Sequence, residues 1–397
     1  MDYILWLFIM ALAGAALAKK MKFPYPIALV LLGAIVGTFP IFKELKIYFI
    51  DENVFRNIVV NIFLPALIGE AALKLSFKKI KEKSRAILSL AIGGTIISYF
   101  STGIILAFIL HWPLQVTLVF GALMAATDPV SVISIFKTLK VNKNLEVIVE
   151  GESLANDGLA IVLFKLTVFS YALIAFSGWS GIGFGVFEFI KVSLGGMVIG
   201  GACGLFASRV VRHFDDYPLE NSVSIALFYG TYFLSESLEV SGVIAIVTAG
   251  LVLGNYGRSI GMSEKTQQSL EIFWDTISFI GNSLIFYLVG LEIQRINITQ
   301  YLPVTIIAIV AAILSRSVAV YLSTIKTGLP TSWKHILNWG GLKGSLSIAL
   351  AVSLPLNFPR REAIVALTFG VVFFSLVVQG LTIGRLIRRI RLTKGEI

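Results

Sequence analysis

The sequence predicts an all-α polytopic membrane protein of about 13 transmembrane helices, arranged as six-helix inverted repeats with discontinuous crossing helices at the fifth and twelfth positions. Three observations carry this. Of 397 residues, 56% are hydrophobic and 14% charged, where a soluble domain carries about 25% charged residues. Mean hydropathy is +0.86, and apolar stretches long enough to cross a bilayer recur from end to end. Helix-disfavouring residues interrupt two of these stretches beside ionisable groups. The period-2 alternation of an outer-membrane barrel is absent, and the runs are too continuous for one.

The expected spans lie near 3–18, 24–41, 54–73, 86–110, 113–136, 145–175, 184–208, 219–236, 241–257, 267–291, 300–324, 333–355 and 361–387. The first ends in Ala16-Leu17-Ala18, which looks like a cleavage site, but its leading end carries Asp2 and no Lys or Arg. It is therefore expected to stay as an uncleaved helix. The fifth carries Thr127-Asp128-Pro129, and the sixth carries the polar stretch EGESLANDG, 150–158. Gly195–Gly204 in the seventh reads as a close helix-packing surface. Arg316 lies in the eleventh span, and Gly340, Gly341, Lys343 and Gly344 lie in the twelfth. No linker or soluble domain interrupts the series, and with about ten residues after the last span no cytoplasmic regulatory domain is expected.

Basic residues set the orientation. Lys19, Lys20 and Lys22 fall between the first two spans, and Lys74, Lys78, Lys79, Lys81, Lys83 and Arg85 between the third and fourth. Lys137, Lys140, Lys143, Arg209 and Arg212 continue the same side, and Arg385, Arg388, Arg389, Arg391 and Lys394 end it. Roughly 23 Lys/Arg lie on that side against about 6 on the other, which puts the rich side in the cytoplasm. The N-terminus is then outside, the C-terminus cytoplasmic, and the net charge of +10 reflects topology, not nucleic-acid binding. Cys203 in its glycine-rich run reads as a small packed residue. His111, His213 and His335 sit at loops or helix ends and form no ligand cluster.

Ionisable groups at membrane depth are costly and mark bundle interiors and ion paths. At 1.5 Å per residue, Asp128 lies about 22 Å in from one face and Asp157 about 18 Å in from the other, so both reach the middle and can be neighbours. Ser153 and Asp157 share one helix face, as do Glu152 and Asn156. Arg316 is the obvious partner for Glu152, because a buried guanidinium must be matched; that pair reads as structural. Asp128 and Lys343 are placed to offset the partial charges of half-helix ends. Lys165 and Lys191 lie toward helix ends, where they can snorkel, and receive no role. A six-one-six division puts both interruptions at matching positions, a layout pointing to an inverted-repeat transporter with a mid-membrane site.

At these residues the sequence resembles the CPA1 family of monovalent cation/proton antiporters, the NhaP/NHE type. ATDPVS (126–131), EGESLANDG (150–158) and FLPALIGEAAL (63–73) resemble family segments. So do SGVIAIVTAGLVLGN (241–255), FWDTISFIGNSLIFYLVGLEI (273–293) and WGGLKGSLSIALAVSLP (339–355), in family order. Lys343 stands where the family usually has Arg, keeping the charge and losing the planar fork. The resemblance implies that Asp157 is the ion- and proton-binding carboxylate. It implies that Ser153, Thr127 and Glu70 add oxygens around Na⁺, with Asp128 beside the site. It further implies that Glu152 and Arg316 pair and that Asn156 holds the broken helices. It also implies a homodimer. Its dimer-domain helices would lie in 1–85 and 213–295, core-domain helices in 86–176 and 296–397, and a linking helix in 177–212.

The expected activity is exchange of Na⁺ or Li⁺ for H⁺ in the plasma membrane, with cation and proton competing for Asp157 and no cofactor beyond the transported ions. Asn156 in place of a second acid fits an electroneutral one-for-one cycle. A K⁺(Na⁺)/H⁺ antiporter of the same fold is the alternative. An intramembrane aspartyl protease lacks its Gly-x-Gly-Asp segment here and leaves Arg316 without a role. A cation channel would not call for paired helix breaks.

Overall fold

In lipid every backbone amide must be paired within the protein, so apolar stretches of this length fold as helices. The computed structural model describes residues 2–21, 23–38, 57–214, 216–292 and 298–390. Lys22, Arg391, Lys394 and the ends of the second and third expected spans (39–41 and 54–56) lie outside the described residues. No strand occurs among the described residues, and eight helical runs are long and apolar enough to cross a membrane.

In chain order the helices are α1 (Asp2–Lys20), α2 (Tyr25–Val36), α3 (Leu64–Lys74) and α4 (Phe77–Leu110). The fifth expected span is two helices, α5 (Leu114–Ala125) and α6 (Val130–Leu139). Then come α7 (Lys143–Lys165), α8 (Gly178–Val211), α9 (Tyr217–Ser237), α10 (Gly242–Val252), α11 (Glu264–Glu292) and α12 (Ile298–Ser323). The twelfth expected span is also two helices, α13 (Thr331–Trp339) and α14 (Ser345–Val352), and α15 (Arg361–Phe374) follows, its helical run continuing to Arg389.

Side-chain character sorts the layers. Every residue of α5 from Val116 to Ala125 is buried, as is α14 from Leu346 to Val352. These half-helices are the centre of the molecule. By contrast α8 exposes Phe187, Val198 and Phe206, an apolar outer surface suited to acyl chains. Its inner edge is a stripe of Gly196, Gly200 and Gly204 laid on α10. A Cβ at Gly200 would stand 2.1 Å from the Ala245 carbonyl oxygen, and one at Gly196 2.6 Å from that of Ser241. The backbones touch there because the side chains are absent, which is how helices associate where lipid offers no hydrophobic drive.

The breaks have local causes. α5 stops where Ala126 turns extended (φ −65°, ψ 144°), and Pro129, with no amide proton, opens α6. α13 ends at Gly340, and Gly344 is extended (φ −126°, ψ −161°) before α14 begins. The interruptions cross in contact: the Asp128 N–H donates to the Leu342 carbonyl at 2.8 Å. A Cβ on Gly344 would fall 2.4 Å from Asp128 Cβ, so the close approach of the two chains requires glycine at that position.

Gly200→Leu is expected to force α8 off α10 and destabilise the protein by about 1–3 kcal/mol. Gly201→Leu, where only Thr248 Cγ2 at 3.9 Å would be met, should leave the thermal unfolding midpoint in detergent near that of the parent. Equal losses in both variants would rule out the stripe as the packing surface.

Candidate functional site

α7 supplies most of the polar groups. Asn142 starts it by accepting the Asn144 N–H on its side chain at 2.9 Å, and the helix then carries Glu152, Ser153 and Asn156 into the interior, all buried. The break in the facing helix pair brings the buried Thr127 to α7, where its hydroxyl meets the Ser153 hydroxyl at 2.9 Å and accepts from Asn156 Nδ2 at 2.8 Å. The same Asn156 nitrogen lies 3.2 Å from Glu152 Oε1. Thus α7 is fastened to the α5–α6 break through one hydroxyl.

Arg316 of α12 reaches Glu152 with both guanidinium branches, Nη1 to Oε1 at 2.6 Å and Nη2 to Oε2 at 3.1 Å. Both side chains are under one-tenth exposed. Nη2 also donates to the Leu337 carbonyl at 2.9 Å, in the last turn of α13. One cation therefore balances a buried acid and closes the negative end of a half-helix.

Lys343 does the equivalent for α5. Its ammonium donates to the Ala126 carbonyl at 3.2 Å and also to that of Met124. Ser347 closes Leu123 at 2.7 Å, and the Lys343 N–H is held by Ser375 Oγ at 3.0 Å. A point charge suffices here: two carbonyls converge on one nitrogen, a geometry that does not use a planar fork. Asp128 takes the opposite ends. Its Oδ1 accepts the Val130 N–H at 3.1 Å, opening α6, while its carboxyl stands against Gly344, which opens α14.

Asp157 is half-buried and lines, with Asp128 and Thr127, a cavity of about 1060 Å³. The walls include Lys19, Lys137 and Arg388, residues of the basic connections, so the cavity extends toward the side rich in positive charge. Asp157 Oδ1 and Asp128 Oδ2 have no hydrogen-bond partner, and neither acid is in an ion pair among the described residues. Ser153 is buried and does not line the cavity. Glu70 does line it, but its carboxylate is taken by Lys74, whose ammonium also bonds Asp275.

The structure thus gathers Asp157, Asp128, Thr127, Ser153, Asn156, Glu152, Arg316 and Lys343 around the crossed breaks and sets Glu70 on the wall. Sequence reading missed Ser347, Ser375, Lys74 and Asp275. Lys74 carries a signal, since it stands four residues after Glu70 on one helix face, but its place in a basic connection points only to topology. Asp275 is 201 residues from Lys74, and nothing in its neighbours announces the contact.

A profile described as "sodium/hydrogen exchanger, transmembrane" matches residues 7–389. The chain belongs to the sodium/hydrogen exchanger family. It is 49% identical over 393 residues to the Na(+)/H(+) antiporter NhaG of Bacillus atrophaeus, covering 98% of this chain and 75% of that protein. It is 45% identical over 390 residues to the Na(+)/H(+) antiporter NhaH of Halobacillus dabanensis, covering 98% and 97%. Its fold matches that of the sodium proton antiporter MjNhaP1 from Methanocaldococcus jannaschii with a TM-score of 0.83 at 22% identity, over 98% of each chain. This exchanger-family chain is therefore a multi-pass membrane transporter, not an enzyme.

Arg316→Ala leaves the buried Glu152 carboxylate unmatched and should cost about 3–5 kcal/mol. Glu152→Gln combined with Arg316→Gln should recover part of that loss in a thermal unfolding assay. Full stability in the single variant would show that the pair does not hold α7 to α12.

Proposed function

We propose that this chain exchanges Na⁺ or Li⁺ for H⁺ across the plasma membrane, one for one and without net charge movement, by alternating access. The observation that carries the reading is the state of Asp157. Glu152 has its charge answered by Arg316, and Asp128 accepts the Val130 N–H at the start of α6. Asp157 lines the cavity and is in no ion pair among the described residues. A hard monovalent cation suits an oxygen set drawn from Asp157, Ser153, Thr127 and Glu70, and a proton claims the same carboxylate.

Competition follows from that shared oxygen. A site holding either ion has lost most of its uncompensated charge, whereas an empty ionised site is costly to carry past an apolar barrier. That penalty enforces coupling. Asn156 beside Asp157 adds no second titratable charge and is committed to Thr127 and Glu152, which favours a cycle in which one cation replaces one proton. Na⁺ is favoured over K⁺ as cargo because both bacterial relatives above are named Na(+)/H(+) antiporters.

The architecture in this reading has thirteen spans divided six, one and six, with the crossed breaks as matching elements of inverted repeats. The helices of 86–176 and 296–397 form a moving core against a homodimeric frame from 1–85 and 213–295, joined through 177–212. With the basic loops in the cytoplasm and the N-terminus outside, the cavity beside Lys19, Lys137 and Arg388 is the inward-facing approach to the site.

In proteoliposomes, Asp157→Asn should abolish Na⁺-driven proton movement while leaving the protein folded; normal exchange by that variant would refute the assignment. For the parent protein, the Na⁺ KM should rise as pH falls, with maximal rate little changed, because protons displace the cation from one carboxylate. Rates should not respond to a clamped membrane potential, and a steep voltage dependence would reject the one-for-one cycle.

A further inference from the structure

Glu70 belongs to the oxygen set proposed for the transported ion, yet its carboxylate already holds a cation. The Lys74 ammonium, one turn further along α3, pairs with it, and the same ammonium is hydrogen-bonded to Asp275 Oδ1 of α11. One positive charge is shared by two carboxylates. All three side chains line the cavity that Asp157 faces. Their exposures form a gradient, with Glu70 at 18%, Lys74 at 33% and Asp275 at 61%, so Lys74 bridges from the covered wall toward the open end.

Lone pairs directed at an ammonium are not available to a metal ion, so Na⁺ and Lys74 contend for Glu70 Oε1. Because Lys74 is tethered four residues away, it competes at a fixed, high local concentration that bulk ions do not dilute. Asp275 gives it somewhere to go. When the ammonium moves wholly to Asp275, Glu70 is freed and the charge on Lys74 stays matched. We propose that Lys74 is a built-in competitor of the transported cation for Glu70, with Asp275 as the acceptor that receives it, and that this three-residue swap sets the apparent cation affinity of the exchanger.

The proposal deepens the exchange reading and rests on it. Apparent affinity falls by the fraction of molecules in which Glu70 is free. Lys74→Gln should therefore lower the Na⁺ KM about 3- to 10-fold, with a smaller change in kcat. Asp275→Asn leaves Glu70 as the sole carboxylate partner of Lys74 and should raise the KM. Lys74→Arg, which keeps a cation in reach of both acids, should stay closer to the parent than Lys74→Gln does.

The decisive measurement is the Na⁺ KM of these variants in proteoliposomes, with and without about 0.5 M choline chloride, where the Debye length is roughly 4 Å. A contact swap survives that screening. A KM shift that collapses in choline chloride reports only the general field of the cavity and overturns the proposal. So does an unchanged or raised KM in Lys74→Gln. If Lys74→Gln does not fold, the mostly exposed Asp275→Asn decides, and an unchanged or lowered KM there overturns it equally. Asp157→Asn measured in parallel separates the two levels. Normal exchange in that variant refutes the exchange site itself, whereas loss of exchange there with no KM shift at Lys74 refutes only the swap.

Discussion

A helix that stops inside a bilayer leaves up to four carbonyls without partners and with no water to satisfy them. The centre of this protein contains two such stops, after Ala125 and after Trp339, and the surrounding structure depends on closing them. Lys343 and Ser347 take the carbonyls of Leu123, Met124 and Ala126, and Arg316 takes that of Leu337. Asp128 serves the positive ends, accepting from Val130 and standing against Gly344. The buried charges around the site are thus mostly spoken for by backbone.

That arrangement explains why charged residues at this depth are compatible with a stable fold. A buried Lys or Arg facing only apolar atoms would be expelled or neutralised. Here each donates to oxygens that would otherwise be unpaired themselves, so two costly groups cancel. Arg316 extends the logic to Glu152, and Asn156 passes it on to Thr127. The chain of contacts ties α7, α12, α13 and the α5–α6 break into one unit, beside which Asp157 and Asp128 line the cavity, neither in an ion pair among the described residues.

The packing around this centre follows a different rule. α8 and α10 meet through glycine, so close backbone contact replaces the side-chain interdigitation of a soluble core. At Gly344 the same absence of a Cβ lets two irregular segments cross next to Asp128. Small residues therefore serve both the outer frame and the site, in one case for helix adhesion and in the other for the crossing of two helix ends.

Much of this could be read directly from the sequence. Hydropathy marked the chain as helical and membrane-spanning because lipid permits only helices there, and Asp128-Pro129 and Gly340-Gly341 marked both interruptions because proline and glycine act locally on the backbone. Charge matching aimed Arg316 at Glu152, and helical spacing put Glu152 with Asn156 and Ser153 with Asp157. What tertiary structure alone decided was which carbonyl each cation meets, that Ser347 and Ser375 complete the caps, and that Lys74 holds Glu70 while reaching Asp275. Periodicity and desolvation cost act within one helix and are written in local order. The partner of a buried charge is set by how helices hundreds of residues apart come to lie side by side, which no local pattern records.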